Sequence, residues 1–252
     1  MAMKKQVKQG SNGDSFFLIR YLAVLLASLP VLSPTLRSAE PTAQDLLQNV
    51  RLNQGSQYRI MNARLRYQNT IIPFRLVLNG NEIRYEFTDP DQVFILRLGE
   101  KSSTLFEISK GGTERVNSAR SSEHVRGTDI TYEDLSLRFL YWTDAKIIGD
   151  DPIAAIQYSM IELRPEPGSG SQYGKVIAWV AKKYDGLLGK AKCYSPDGSQ
   201  VVLVMTVKSS MTLADGSRFL KQMSIERLNN GKSTGKDPTY LEILGEEKAG
   251  GS

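Results

Sequence analysis

The chain has 252 residues, 40% hydrophobic and 23% charged, with a formal net charge of +5. That charge sits at the start. Lys4, Lys5, Lys8, Arg20 and Arg37 face only Asp14 in residues 1–39, leaving 27 basic and 26 acidic residues in the remainder, too even a balance to indicate a nucleic-acid partner. The single cysteine, Cys193, excludes an internal disulfide and reads as a small buried hydrophobe. The single histidine, His124, cannot supply a multi-histidine metal site.

The basic start leads into a mainly apolar run from Phe16 to Leu32, interrupted by Arg20. The stretch after Arg20 is short for a membrane span, so residues 1–39 are expected to be a secretory signal peptide cleaved near Ser38 or Ala39; an uncleaved anchor is the alternative. No cysteine follows the run, which disfavours a lipid-anchored lipoprotein. Residues 40–245 are expected to form one domain, and 246–252 a polar tail. Pro41–Val50 reads as a helix, capped by Thr42 with Asp45 three residues on and carrying Leu46, Leu47 and Val50 as its apolar stripe. Strands are expected over Gln57–Gln68 and Thr70–Leu78.

From Phe74 to Ile108 apolar and polar residues alternate: Phe74, Leu76 and Leu78, then Ile83, Tyr85 and Phe87, then Phe94, Leu96 and Leu98. A period of two marks strands with one apolar face. Asn79-Gly80 is a hairpin signal, and Asp89-Pro90-Asp91 and Gly99-Glu100-Lys101 make the next turns. The result is an antiparallel meander. The run Ile83–Asp91, an aromatic strand ending in a Thr-x-Pro-Asp turn, resembles the periplasmic lipoprotein carriers, LolA and its relatives, over about Gly80–Ile108. The resemblance implies a mainly β, α+β fold: a strongly curved antiparallel sheet forming an incomplete barrel, with helices in its concave mouth and a cavity that accepts acyl chains. It carries over one residue, Ile83, onto a cavity position that is aromatic in LolA. The family's lid-binding arginine aligns with Asn79, so Arg75 or Arg84 would need a different geometry to replace it.

Ser109–Arg126, rich in Gly, Ser and Arg, is expected to be a mobile loop holding His124. Next, Tyr132, Leu135, Phe139 and Trp142 are spaced three, four and three, predicting one helix from Tyr132 to Trp142 capped by Thr131 and Asp134. Gly127–Leu135 resembles a signature of outer-membrane lipoprotein-sorting-like proteins, a divergent branch of the same superfamily. Its acids Asp129, Glu133 and Asp134 read as helix-start capping and solvation. Strands follow over Ala145–Asp150, Ile153–Arg164, Gly174–Lys182, Leu187–Tyr194, Gln200–Lys208, Arg218–Arg227 and Tyr240–Leu244. Ile156, Tyr158, Met160 and Glu162 share one face, and Asp150-Asp151 are read as a turn before Pro152. No helical crossovers join these strands, so a parallel α/β sheet is excluded.

The sequence holds no strand-to-helix nucleophile elbow, P-loop, H-E-x-x-H pair or paired-cysteine metal spacing, so neither enzyme nor cofactor is expected. The expected function is periplasmic transfer of lipoprotein acyl chains or other lipid towards the outer membrane. The resemblance implies an inner-membrane transporter and an outer-membrane acceptor as partners. Candidate lipid contacts are Ile83, Tyr85, Phe87, Phe94, Leu96, Leu98, Phe106, Ile108, Met205 and Met223, each of which could equally be ordinary core. Tyr132, Leu135, Phe139 and Trp142 are the candidate lid. The alternatives are an envelope adaptor that keeps the fold without transport, and an enzyme with a non-obvious site.

Overall fold

The computed structural model describes residues 40–53, 58–153, 155–183 and 186–247. The expected signal peptide lies outside the described residues, as does the tail beyond Glu247. Helix α1 (Ala43–Asn53) starts as its sequence dictates. The Asp45 carboxylate accepts from the Thr42 amide at 2.9 Å, and the Asp45 amide donates back to the Thr42 hydroxyl at 3.2 Å. Leu46, Leu47 and Val50 are buried along one side.

Fourteen strands follow among the described residues, all paired antiparallel in one sheet. The first meander is β1 (Arg59–Tyr67), β2 (Thr70–Asn79), β3 (Glu82–Thr88), β4 (Asp91–Leu98), β5 (Ser103–Ser109) and β6 (Gly112–Arg115). The second is β7 (Asp144–Ile153), β8 (Ile156–Arg164), β9 (Lys175–Ala181), β10 (Leu188–Tyr194), β11 (Val201–Thr212) and β12 (Arg218–Asn229). A short β13 (Lys232–Ser233) folds back on β12. Then β14 (Thr239–Glu246) inserts between β1 and β12, joining the meanders at their inner ends. The outer strands β6 and β7 stay unpaired with each other, so the sheet is an incomplete barrel.

The sheet curves because both meanders bury side chains in one core. Leu76 and Phe94 from the first belong to the same apolar cluster as Ile161, Val176 and Leu203 from the second. Register shifts in β1, β7, β10 and β11 add the local coil that such wrapping needs. Close approach fixes two glycines. A Cβ on Gly186 would stand 2.6 Å from the Val50 amide nitrogen of α1, and one on Gly189 would stand 2.4 Å from the Tyr158 ring.

The chain between β6 and β7 must travel from one sheet edge to the other, and it does so over the inner face. Val125, Ile130, Tyr132, Leu135, Phe139, Leu140 and Trp142 all join the core there. The continuous helix expected over Tyr132–Trp142 is not formed. Helix α2 covers Tyr132–Ser136 only, Leu137 turns left-handed (φ 51°, ψ 29°), and Arg138–Tyr141 is a 3-10 turn. A straight helix presenting Tyr132, Leu135, Phe139 and Trp142 inward would aim Leu140 off that stripe. The break lets Phe139 and Leu140 bury together, at 4% and 1% exposure.

The supposed mobile loop is also ordered structure. β6 pairs with β5 through Ser109↔Gly112 to Phe106↔Arg115, and 3-10 turns follow at Ser118–Arg120 and Val125–Gly127. Every β6 residue is exposed, so this edge strand shows no apolar alternation to read. Asp150 and Asp151 lie inside β7 rather than in a turn, bonded to Lys182 and to the Trp179 indole respectively. Glu246 likewise belongs to β14 and not to a tail.

Candidate functional site

The inner face of β2–β4 is an aromatic floor. Phe74 lies 5.1 Å from Phe87 between ring centroids, Phe87 meets Phe94 edge-on at 6.3 Å, and Phe94 meets Tyr132 of the covering segment at 5.0 Å. Ladder register places the residues. Leu76 pairs with Tyr85, Tyr85 with Phe94, and Ile83 with Leu96, so Ile83, Tyr85, Phe87, Phe94 and Leu96 share this face and are buried. Burial pushes the Tyr85 hydroxyl far above its ordinary range. Leu98 is half-buried against the same core. Met205 and Met223 reach that core from the second meander, on β11 and β12.

Phe106 and Ile108 do not join this floor. They pair with Ile95 and Val93, across from Leu105 and Glu107, which take the inner positions. The Gly99–Lys101 turn carries no sign of the register, and the slip by one residue inverts both side chains. Arg97 instead stacks over the outward Phe106 ring at 4.9 Å. On β8 Ile156, Tyr158 and Met160 share one face as expected, and it is the outer one. Ile161 and Leu163 face the core, while Tyr158 and Met160 join Trp179 in a separate outer cluster.

The four candidate lid residues Tyr132, Leu135, Phe139 and Trp142 are all buried on the inner face, but two different sets of partners hold them. The α2 half is pinned by a buried polar network. Thr131 and Asp134 form the expected capping box, with the Thr131 amide donating to Asp134 at 2.8 Å. Asp134 also accepts from the Tyr173 hydroxyl at 2.6 Å and from the Arg227 guanidinium at 3.1 Å. The Glu133 carboxylate takes the Ser171 hydroxyl and the Gln172 amide. Both acids are 4% exposed, so neither is solvated; Asp134 caps α2, while Glu133 instead ties the helix to Ser171 and Gln172. Burial raises the Glu133 carboxyl above its usual range, against the opposing pull of Ser171 and Gln172. At the far side of α2, Arg120 lies over the Tyr132 ring and bonds Glu107, a buried acid of the inner face.

The 3-10 half is held more lightly. Arg51 of α1 donates to the Leu140 carbonyl at 2.6 Å, and Gln44 to the Trp142 carbonyl at 3.0 Å. Arg75 and Arg84, named as possible substitutes for the family's lid arginine, point outward and pair with Glu86. Arginines reach the covering segment from elsewhere: Arg51, Arg120 and Arg227. Only Arg227 leaves a mark in the sequence, as a charge at the position where the Met223–Ile225 alternation calls for another apolar residue.

Beside α2 a cavity of about 420 Å³ opens between it, β5 and the turn after β6, with Ser103, Leu105, Arg115, Ser118, Tyr132 and Arg138 among its walls. Its lining is mixed, with hydroxyls and guanidinium groups beside Leu105, Val116 and Tyr132, unlike the apolar floor next to it. Among the described residues, the groups that could do chemistry lie apart. Cys193 is fully buried and its thiol is pushed well up by that burial. His124 is an exposed loop residue whose Nδ1 lies 2.6 Å from the Thr128 carbonyl. Gly231–Gly235 spells G-x-S-x-G, but Ser233 sits exposed in a hairpin strand and not on a strand-to-helix elbow. Among the described residues no group of three His, Cys, Asp or Glu side chains could hold a metal, and no helix is long and apolar enough to cross a membrane.

A family model carrying only the description "-like: Uncharacterized protein" matches residues 95–237. No curated protein matches the chain. Among solved structures, a domain named for outer membrane lipoprotein sorting from Vibrio parahaemolyticus superposes with a TM-score of 0.66 at 16% identity, over 83% of this chain and 94% of that one. A DUF1329 family protein from Desulfovibrio piger gives 0.65 at 17% identity, over 83% and 93%. A LolA superfamily protein from Nitrosomonas europaea gives 0.59 at 17% identity, over 82% and 94%. The fold is therefore that of the LolA superfamily and its lipoprotein-sorting domains.

Proposed function

The chain belongs to the family of uncharacterized proteins whose model spans residues 95–237, and from that premise and its LolA-like fold we propose that it is a carrier of lipid or lipoprotein acyl chains. The observation that carries the reading is the aromatic floor lying under a segment broken at Leu137, whose second half has no buried ion pair among the described residues. That half is tied to α1 by Arg51 and Gln44, which donate to backbone carbonyls, and to the β8–β9 loop by Arg138, which donates to the Ser169 carbonyl. An acyl chain gains about 0.8 kcal/mol for each CH₂ it buries, so a chain of ordinary length can replace the contacts of Phe139, Leu140 and Trp142 with the core. The ligand contacts are Ile83, Tyr85, Phe87, Phe94 and Leu96, with Met205 and Met223 adapting from the facing meander. No bond is made or broken; binding and release are the whole activity. The carrier works in the periplasm with residues 1–39 removed as a signal peptide. It receives cargo at the inner membrane and delivers it towards the outer one.

A specific observation favours a second reading. The buried Asp134 carboxylate, paired with the partly buried Arg227, pins α2 on the inner face, as a filled core without transport would require. Titration of the mature protein with a fluorescent fatty acid, together with extraction of co-purified lipid, separates the two. Saturable binding with recoverable lipid supports the carrier. Absence of both leaves an envelope adaptor built on the same fold.

A further inference from the structure

The cavity beside α2 differs from the floor in a way that matters for the cargo. Its walls hold two guanidinium groups outside any close ion pair, of which Arg138 acts on Glu133 only at longer range. Arg115 makes no ion pair among the described residues, and Arg138 donates only to the Ser169 carbonyl, at 3.0 Å. Arginines nearby are not left so. Arg120, a few residues away, is bound to Glu107, Glu114 and Glu123 together. The one acid lining the cavity, Glu133, has its carboxylate oxygens engaged by Ser171 and Gln172. Ser102, Thr104 and Ser118 add hydroxyls to the same walls. Two cations and a set of hydroxyl donors, against one carboxylate already hydrogen-bonded to Ser171 and Gln172, suit an anion with several acceptor oxygens. Tyr132 forms part of the cavity wall and also stacks on Phe94 of the floor, so a polar head held here has its hydrocarbon chain beginning at the aromatic surface.

We propose that this cavity is a headgroup subsite for a phosphate-bearing lipid, with Arg115 and Arg138 as the anion ligands and the acyl chain running onto the floor. The inference rests on the carrier reading for its acyl half, while the anion half stands on the cavity alone. The shared chemistry is a phosphate monoester or diester, whose source is either a lipid head or free phosphate. A volume of about 420 Å³ accommodates a glycerophosphate-sized group.

The test compares two amphiphiles of equal chain length, lysophosphatidate and monoacylglycerol, by displacement of a fluorescent fatty acid from the wild type and from the Arg115→Gln/Arg138→Gln double variant. Inorganic phosphate alone is titrated in parallel by calorimetry. Arg115 is exposed and Arg138 half-buried, so the variant is expected to fold, and an unchanged thermal melt checks this. The expected result is that wild type prefers lysophosphatidate by about tenfold or more, as two charge-assisted contacts imply. The preference shrinks at high salt and vanishes in the variant, while monoacylglycerol affinity is unchanged. Equal binding of the two amphiphiles by the wild type, or a preference that survives in the variant, overturns the subsite and leaves the carrier standing. If neither amphiphile binds, the carrier reading fails and the phosphate arm decides. Phosphate binding lost in the variant keeps an anion site that takes free phosphate; no phosphate binding overturns the subsite as well. If the double variant melts early, Arg115→Gln alone carries the test, with at least a threefold loss of preference expected on the order of one such contact.

Discussion

The two halves of the segment that covers the inner face are built on opposite principles. In α2, Thr131, Glu133 and Asp134 are buried polar groups, each satisfied by Tyr173, Arg227, Ser171 or Gln172. From Arg138 to Trp142 the buried side chains are apolar, and the polar ties are to backbone carbonyls: Arg51 and Gln44 donate to Leu140 and Trp142, and Arg138 donates to Ser169. Satisfied buried networks lose heavily when one member is removed, because the rest are left unpaired in a dry site. Apolar contacts are interchangeable with any other hydrocarbon. The first half is therefore a post and the second a replaceable cover, with the left-handed Leu137 as the joint between them.

The largest effect should come from breaking the post. Replacing Asp134 with Ala removes the partner of Arg227, the acceptor of the Tyr173 hydroxyl and the capping box together. Removing one member of a buried pair costs roughly 3–5 kcal/mol, and urea denaturation should show a loss in that range. A loss under about 1 kcal/mol, the size of an exposed ion pair, would mean that the network holds nothing and the two halves are alike.

The cover should respond differently. Phe139→Ala in a fixed, tightly packed core costs about 3–5 kcal/mol. If the Arg138–Trp142 half is a cover, the loss should fall clearly below about 3 kcal/mol, the lower edge of that range, and fatty-acid uptake should change. Paired denaturation and fluorescent fatty-acid titration of wild type and variant read both. A full core-like loss with no binding by the wild type would falsify the distinction and favour the adaptor.

Much of this architecture is legible in the chain, and the parts that are not share a cause. The Thr42–Asp45 and Thr131–Asp134 caps, the Asn79-Gly80 hairpin and the alternation of Ile83, Tyr85 and Phe87 are local patterns, and the structure shows each. Misreadings arise where a residue's side depends on a distant register. Phe106 and Ile108 are as apolar as Leu105, and only pairing across the β4–β5 turn decides which set faces inward. On β8 the shared face of Tyr158 and Met160 is legible in the alternation, but that Ile161 and Leu163 take the core side is not. The break at Leu137 has no glycine or proline to announce it; it follows from burying Leu140 beside Phe139. The arginines that reach the cover come from α1, the β6–α2 connection and β12, and no local motif could bring them together.

The smallest effect concerns pH, and it probes the post through Glu133. Burial is the dominant influence on this carboxyl and raises its pKa above the ordinary value of 4.5, with the adjacent Asp134 adding to the rise and Ser171, the Gln172 amide and Arg138 opposing it. A carboxyl that holds its proton more tightly when folded than when unfolded favours the folded state at low pH. Its contribution is full below the unfolded pKa, declines as pH rises from there, and is lost once pH passes the folded pKa. Stability should therefore carry a downward component that begins near pH 4.5 and levels off above the raised value. Glu133→Gln keeps an acceptor for Ser171 or the Gln172 amide and removes the ionisation, so its stability curve should lack that component and cross the wild type as pH rises. Denaturation midpoints of both proteins between about pH 4 and pH 8 measure the difference directly. Parallel curves would show that Glu133 is no more buried in solution than an ordinary surface acid, and the post would then rest on Asp134 and Arg227 alone.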